Sequence, residues 1–557
     1  MKIIQKTFDR TSAVALTAEW YGKNWPVVYI LGSAKEVYIG ETTSISARMK
    51  QHLENTRRGS LDIVNIIVDR RFNKSAILDI ESKLIECMSA DKSFSIQNSN
   101  SGMRNHDYYE KSVYEAIFKS IWKELQQRKI VHHELDVLYN SELFKYTPYK
   151  RLTEEQYSVA HDLVANILNS VMDDQLSTTL INGEAGTGKT VLAMYLLKLF
   201  SDNRTVEFLA NENESYIEKY ESIHDKLKEF KIGLVVPMTS LRGTLKKVAS
   251  SISGLSTTMI FGPNDVSKSK YDLLIVDESH RLFRRVGITG YGSYDSVNKK
   301  LGFDKESTQL EWIQNQARHT VFFYDSTQSV RPSDVRRNDF MTLMQSRDYV
   351  SYSITSQLRV LAGQDYIRYI SALLSDQHPE PKKFGSYDFR IFDSIASMRN
   401  TLIQKEKEVG LSRLVAGYAW PWSTKGMSYA AIKSRSLYDF TIENESFIWN
   451  STGSSWVISK NAKHEVGSIH TIQGYDLNYV GVIIGPDITY NPFTEKIEIH
   501  KENYYDKKGK SGIENDDELK MYILNIYKVL LTRGIMGTYV YVVDSHLRDY
   551  FKKYIEL

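Results

Sequence analysis

The chain is predicted to be α/β throughout, with a small amino-terminal module followed by two larger lobes built on parallel sheets. Three observations lead there. Beyond Arg151, apolar runs alternate with helical stretches, as in sheets covered on both faces: TTLINGE (178–184), GLVVPM (233–238), DLLIVDE (272–278), TVFFYD (320–325), RLVAGY (413–418) and VGVIIG (480–485). Residues 27 to about 100 read as a short hairpin, VVYILGSAKEVYIG, then a helix, a strand (DIVNIIV) and a second helix (KSAILDIESKLIECM). Between an apolar strand and the helix VLAMYLLKLF stands a complete G-x-x-x-x-G-K-T.

The elements follow in order. Residues 1–21 are expected to be a leader and 22–105 the small module. Residues 106–150 are a helical linker, 151–346 the first lobe and 347–557 the second. In the linker Tyr109, Val113, Ile117, Ile121 and Leu125 recur every four positions, which predicts one amphipathic helix. KENYYDKKGKSGIENDDELK (501–520) is polar and charged enough to be an exposed loop or hairpin of the last lobe.

Totals bound the function less than the motifs do. Length 557 suits two to four domains, and 71 Lys plus Arg against 68 Asp plus Glu excludes no partner class, because local basic faces can hide in a near-neutral sum. Cys87 is the only cysteine, so an intrachain disulfide or cysteine-rich zinc site is impossible and a reducing, cytoplasmic setting is expected. Asp9 and Arg10 interrupt the only early apolar stretch, so no secretion signal is expected. No run reaches the roughly 20 apolar residues of a membrane span.

The strongest chemistry is at residues 183–190. Gly183, Gly186 and Gly188 let backbone amides wrap phosphate oxygens, Lys189 neutralises the terminal phosphates, and Thr190 can ligate Mg²⁺, so ATP and Mg²⁺ are the expected cofactors. Asp277 and Glu278 close an apolar strand. Asp277 suits the Mg²⁺ shell, and Glu278 suits orienting and deprotonating the water that attacks the γ-phosphate.

From about Leu152 to Arg533 the motifs and their order resemble superfamily 1 helicases, which implies two RecA-like lobes. LTEEQ resembles the adenine-reading segment, with Gln156 as its contact. VVPMTSLRGTLKKV resembles the motif that grips a nucleic-acid backbone, which carries Thr239 and Ser240. FFYDSTQS assigns Gln328 the γ-phosphate sensor, and SQLR and YKVLLTRG supply Arg359 and Arg533 as arginine fingers. GSIHTIQGYDLNYV carries His470, Gln473 and Gly474 for nucleic acid, with Asp476 where the family usually has glutamate. Within the superfamily, VVPMTSLRGTLKKV, FFYDSTQSVRPSD and RLVAGYAWPW most resemble the group called domain of unknown function 2075, related to the helicase-like part of Schlafen proteins. An arginine that reaches the phosphate from the opposite lobe ties hydrolysis to cleft closure.

Residues 22 to 105 resemble the GIY-YIG nucleases. Tyr29 matches the first motif's tyrosine, Tyr38-Ile39-Gly40 is an intact second motif, and Arg48 and His52 take the usual places on the first helix. Val27 stands at a usual glycine, and only eight residues separate Tyr29 from Tyr38. The spacing itself puts Arg48 and His52 one turn apart on a helix that Ser44 could cap, beside a stripe of Ile45, Met49 and Leu53. Glu81 falls on the same face as Ile77, Leu84, Ile85 and Met88, where a carboxylate needs a cation or metal. The resemblance makes Glu81 the metal ligand, Arg48 the phosphate stabiliser and a tyrosine the water activator. Asn98 matches the family's last polar residue, with Asn100 the competing choice. The structural alternative is a Glu81–Arg48 ion pair in a binding domain.

The expected protein is an ATP-driven translocase or helicase with a Mg²⁺-dependent endonuclease domain, acting on nucleic acid, DNA ahead of RNA, with no membrane partner. A role in defence against foreign DNA follows by analogy alone. The alternatives are a nucleotide-gated binding switch and an RNA-directed enzyme, since 12% aromatic residues can stack single strands of either polymer.

Overall fold

The computed structural model describes residues 1–555 apart from 99–107, 326–327, 345–347, 358–359, 453–455, 473–474 and 514. The chain forms two compact units, residues 1–173 with 190–232 and 245–259, and residues 174–189 with 233–244 and 260–557.

The first unit is organised by a five-stranded sheet of β1 (Lys2–Thr7), β2 (Val27–Gly32), β3 (Glu36–Thr42), β4 (Ile63–Val68) and β5 (Ser95–Ile96), ordered β1-β4-β2-β3-β5. The expected leader is therefore corrected: Lys2–Thr7 pairs antiparallel with Ile63–Val68 along its whole length. Its alternating KIIQKT pattern fits a sheet edge with one buried face. The β2/β3 hairpin sets Tyr29 opposite Gly40 and Leu31 opposite Tyr38. Val27, Tyr29, Leu31, Ile45, Met49 and Ile66 share one core.

Helix Lys74–Asp91 packs beside this sheet, its first turn capped by Asn73 Oδ1, which accepts the Ala76 N–H at 2.9 Å. Ser44 heads helix Ile45–Glu54 without a side-chain capping bond, so that expected cap is not made. The linker helix spans Lys111–Gln127, but its buried stripe is Tyr114, Ile117, Phe118, Ile121, Trp122 and Leu125. Tyr109 and Val113 face water at 83% and 41% exposure. Spacings of three and four keep a stripe on one face of a 3.6-residue helix, whereas strict fours drift around it.

The linker is also part of the unit. Asp91 accepts the His132 and His133 backbone N–H groups, and Trp122 Nε1 donates to His133 O. Arg151 reaches Asp79 at 2.6 Å, and Lys150 reaches Glu86 at 3.2 Å.

The second unit holds two sheets. The first contains β6 (Ser177–Gly183), β7 (Ile232–Val235), β8 (Ile260–Phe261), β9 (Tyr271–Val276), β10 (Ala317–Tyr324) and β11 (Asp348–Ile354), ordered β11-β6-β10-β9-β7-β8. Pairs β11/β6, β6/β10, β10/β9 and β7/β8 are parallel. The other contains β12 (Asp388–Ile391), β13 (Ser412–Ala416), β16 (Val466–Ser468), β17 (Leu477–Ile484) and β20 (Gly534–Val542), ordered β12-β20-β17-β13-β16 and parallel throughout. Hairpins β14 (Phe440–Ile442)/β15 (Glu445–Phe447) and β18 (Ile488–Asn491)/β19 (Lys496–Ile499) complete the described strands. These are the parallel-sheet lobes that the sequence predicts. Strands β10 and β17, inside the two sheets, are buried along nearly their whole length, as parallel sheets require, while the edge strands β11 and β12 are partly exposed.

The charged 501–520 segment is not a free loop. Tyr504 is 1% exposed, and a helix begins at Asp516. Among the described residues no helix is long and apolar enough to cross a membrane.

Candidate functional site

In the second unit the register brings the carboxyl ends of β6, β9 and β10 to one edge, with Asn182 opposite Tyr324 and Val276 opposite Phe322. Ligands of open parallel sheets bind at such edges. Gly183 closes β6 where a Cβ would lie 2.7 Å from Thr187 Oγ1, and Gly186 and Gly188 have φ of +86° and +79°. Only glycine takes these positions without strain. Lys189 Nζ donates to Gly183 O at 2.6 Å and Glu184 O at 2.9 Å, and lies 3.4 Å from Asp325 Oδ2. An ammonium held on carbonyls at the mouth of a glycine loop fits phosphate, whose oxygens would replace those acceptors. Thr190 is the second residue of helix Lys189–Ser201.

Asp277 is fully buried, and its Oδ1 accepts the Glu278 N–H at 3.0 Å. Glu278 adopts φ +50°, a left-handed conformation of the kind concentrated at functional sites. Its Oε2 lies 3.2 Å from His280 Nε2. Burial pushes the His280 pKa down, which keeps that imidazole neutral beside the carboxylate.

Gln328 joins both sheets. Its Nε2 donates to Asp325 Oδ2 at 2.6 Å, and its Oε1 accepts from Arg533 NH2 at 3.0 Å. Arg533 is 1% exposed and also donates to Tyr475 O. Gln357 Nε2 donates to Ala185 O and Gln364 Nε2 to Glu184 Oε2, so two more side chains touch the phosphate loop. Asp325 and Gln364 were missed in the sequence. Asp325 ends β10 as Asp277 ends β9, which was the available signal; Gln364 carried none.

Other expected residues are placed as follows. Gln156 is fully buried, and its Oε1 accepts the Thr153 N–H in a capping box, so the side chain expected to read adenine serves the helix start. Thr239 and Ser240 open helix Thr239–Ala249, with Thr239 exposed. His470 is largely enclosed by Arg331 and Asp506. Arg359, Gln473, Gly474 and Asn100 lie outside the described residues.

In the first unit Tyr29, Tyr38, Arg48 and His52 come together. Tyr29 Oη lies 2.7 Å from His52 Nε2, and Arg48 Nε donates to the same hydroxyl at 3.3 Å. The Tyr38 ring lies 5.0 Å from that of His52. Burial first, then the Arg48 and Arg58 charges, lowers the His52 pKa to about 4. Neutral His52 therefore accepts a hydrogen bond from the Tyr29 hydroxyl. A Cβ at Gly40 would collide with the Tyr29 hydroxyl, which explains a glycine directly across the hairpin.

Glu81 is half-buried, yet packed closely enough that its charge is poorly solvated. Burial and the Glu41 charge raise its pKa to about 8, against the pull of Lys74 and Arg48 and a bond from the Glu41 N–H. A carboxyl so disfavoured as an anion fits a site completed by a cation. Asn98, matched to the family's last polar residue, lies against β3. Its Oδ1 accepts the Ile39 N–H at 3.0 Å and its Nδ2 donates to Ile39 O at 2.7 Å, so both amide atoms brace the backbone of β3. Arg58, 3.7 Å above the Tyr38 ring, was not anticipated; the basic pair after the first helix was its only signal.

Residues 177–544 match the family described as Schlafen group 3, DNA/RNA helicase domain. The uncharacterized protein YPL245W of Saccharomyces cerevisiae is 28% identical over 405 residues, 66% of this chain and 82% of that protein. Among solved structures, the arterivirus nonstructural protein 10 helicase is 10% identical with a TM-score of 0.28 over 70% of this chain. This chain covers 63% of that helicase, under two thirds of its length. Pif1 helicase from Bacteroides, in complex with ADP-AlF3 and ssDNA, is 12% identical with a TM-score of 0.24, over 68% of this chain and 91% of its own. At such scores the lobes are assigned by the sheets above and the family match.

Proposed function

Because this chain belongs to the Schlafen group 3 DNA/RNA helicase family and is a helicase-type ATPase, we propose that it is a translocase carrying a phosphodiester-cleaving endonuclease at its amino terminus, with DNA as the preferred strand. The hydrogen-bonded set Tyr29, His52 and Arg48, with the Tyr38 ring against it and Glu81 beside it, carries the nuclease reading. A role in defence against foreign DNA accords with this pairing of activities.

In the motor the glycine loop and Lys189 hold the phosphates, and Glu278 orients the attacking water and takes its proton. Gln328 accepts a hydrogen bond from Arg533, which joins the γ-phosphate sensor to the guanidinium that stabilises charge on the transferring phosphoryl. In the nuclease Arg48 faces the scissile phosphate. Neutral His52 accepts a hydrogen bond from the Tyr29 hydroxyl and Arg48 donates to the same oxygen; burial pushes the Tyr29 pKa up, so the phenol stays protonated and serves to orient the attacking water. When bound, Mg²⁺ would be held by Glu81 here and by Asp277 in the motor, and would supply positive charge to phosphate oxygens.

The deciding experiment incubates purified protein with labelled single- and double-stranded DNA and RNA and Mg²⁺, with and without ATP. Cleavage should require Glu81, with Glu81→Ala uncut while its ATP turnover survives. If wild type leaves every strand intact, the amino-terminal module only binds and the nuclease reading is lost. Preferential cutting of RNA would reverse the polymer assignment.

A further inference from the structure

The segment between β19 and helix Asp516–Leu531, for which the sequence offers no role, is built rather than merely solvated. Gly512 takes φ +83° where a Cβ would collide with Val286, Gly287 takes φ +58° against Ser511, and Lys508 Nζ donates to Thr289 Oγ1 at 2.7 Å. The Tyr505 N–H donates to Tyr418 O, and the Tyr418 ring lies 5.4 Å from that of His470. At the centre is Asp506, its side chain 12% exposed. Its Oδ2 lies 3.0 Å from His470 Nε2, while Oδ1 accepts the Lys508 N–H. At Gly509 a Cβ would lie 3.1 Å from the Asp506 carboxylate and 2.5 Å from Tyr504 Oη, so a side chain there would displace the acid.

His470 leads onward. Arg331 NH2 lies 2.8 Å from its Nδ1 and 2.9 Å from its Nε2. The Arg331 N–H donates to Asp334 Oδ2, which also holds Arg281 NH1 at 2.8 Å. Arg281 lies on the turn that Glu278 begins, and its N–H donates to Glu278 O.

We propose that Asp506 is a positioning residue: through His470, Arg331, Asp334 and Arg281 it connects the strand-binding motif to the carboxylate that orients the attacking water. Burial and the Arg331 charge keep His470 neutral, with its pKa near 4. Its single ring proton then sits on Nε2, donated to the ionised Asp506, and Nδ1 is left facing Arg331. Removing Asp506 frees the ring to change tautomer or rotate, and the arginine loses its fixed neighbour.

This inference rests on the translocase reading, and one titration separates the two. ATP turnover is measured for the full chain and for Asp506→Ala, Asp506→Asn and Gly509→Ala as oligo-dT or oligo-rU is added. The readouts are the ratio of stimulated to basal turnover and the strand concentration at half-stimulation. Asp506→Ala and Gly509→Ala should lower the ratio about tenfold, the size of an ordinary coupling free energy. Asp506→Asn should stay within about twofold of wild type, because its amide oxygen still accepts the His470 proton. Unchanged stimulation in Asp506→Ala overturns the proposal. So does parallel loss of basal and stimulated turnover in both Asp506 variants, which marks a structural role. A wild type that no strand stimulates removes the translocase reading, and this inference with it.

Discussion

At the scale of single residues, identity and spacing announced the chemistry but not the bonding partners. Lys189 was legible because a glycine loop followed by lysine has one physical use, and its ammonium indeed rests on the loop carbonyls. Lys189→Ala should lower ATP turnover by more than about a hundredfold, since the terminal phosphates lose their main counter-charge; a coupled phosphate-release assay reads it directly. Gln156 and Asn98 were legible as positions, but a sequence does not reveal which backbone atoms an amide meets: Gln156 Oε1 accepts the nearby Thr153 N–H, and Asn98 bonds both backbone groups of the distant Ile39. His52 makes a pH prediction. Its folded pKa of about 4 lies below the ordinary 6.5, so the unfolded chain binds its proton first. Its stabilising contribution is complete above pH 6.5 and is lost as pH falls through 4. Unfolding free energies measured across that window should rise with pH in wild type, and less steeply in His52→Gln.

Helices and strands were legible where periodicity was strong and obscure where tertiary neighbours set the phase. The spacing finds the linker helix and the Ile117, Ile121 and Leu125 part of its stripe, but it extends the stripe to Tyr109 and Val113, whereas Tyr114, Phe118 and Trp122 complete the buried face. Trp122→Ala should cost about 3–5 kcal/mol in chemical denaturation, as for other buried aromatics, while Val113→Ala changes stability by less than about 0.5 kcal/mol. The edge strand β11 was missed because exposure along DYVSYSI breaks up its apolar run. The boundary expected at residue 150 has a similar lesson. Arg151 is bonded to the buried Asp79, two positions before Glu81, so the chain entering the next segment is pinned to helix Lys74–Asp91. Lys83 and Arg151 hold Asp79 ionised against the effect of its burial. Arg151→Ala should therefore destabilise by about 3 kcal/mol, because a buried carboxylate loses a partner, and Arg151→Lys should recover part of it. Urea unfolding of the full chain distinguishes the two.

For the whole molecule, the alternation of apolar runs with helical stretches foretold parallel lobes, and the motifs around Gly183, Asp277 and Asp325 follow the carboxyl ends of β6, β9 and β10. Pairing order within each sheet was not legible, because any parallel permutation satisfies the same buried patterns. Within the second unit Arg533 donates to Gln328, which in turn donates to Asp325. If these three act together, their losses cannot add. Arg533→Ala should reduce kcat for ATP by about 10³-fold, as for other arginine fingers. Gln328→Ala should show a smaller but substantial loss, because it leaves the guanidinium without its orienting acceptor. The double variant should then resemble Arg533→Ala alone, since the glutamine has nothing left to orient. Strict multiplication of the two defects in steady-state turnover would mean that each side chain serves hydrolysis independently, and that the bond between sheets couples nothing.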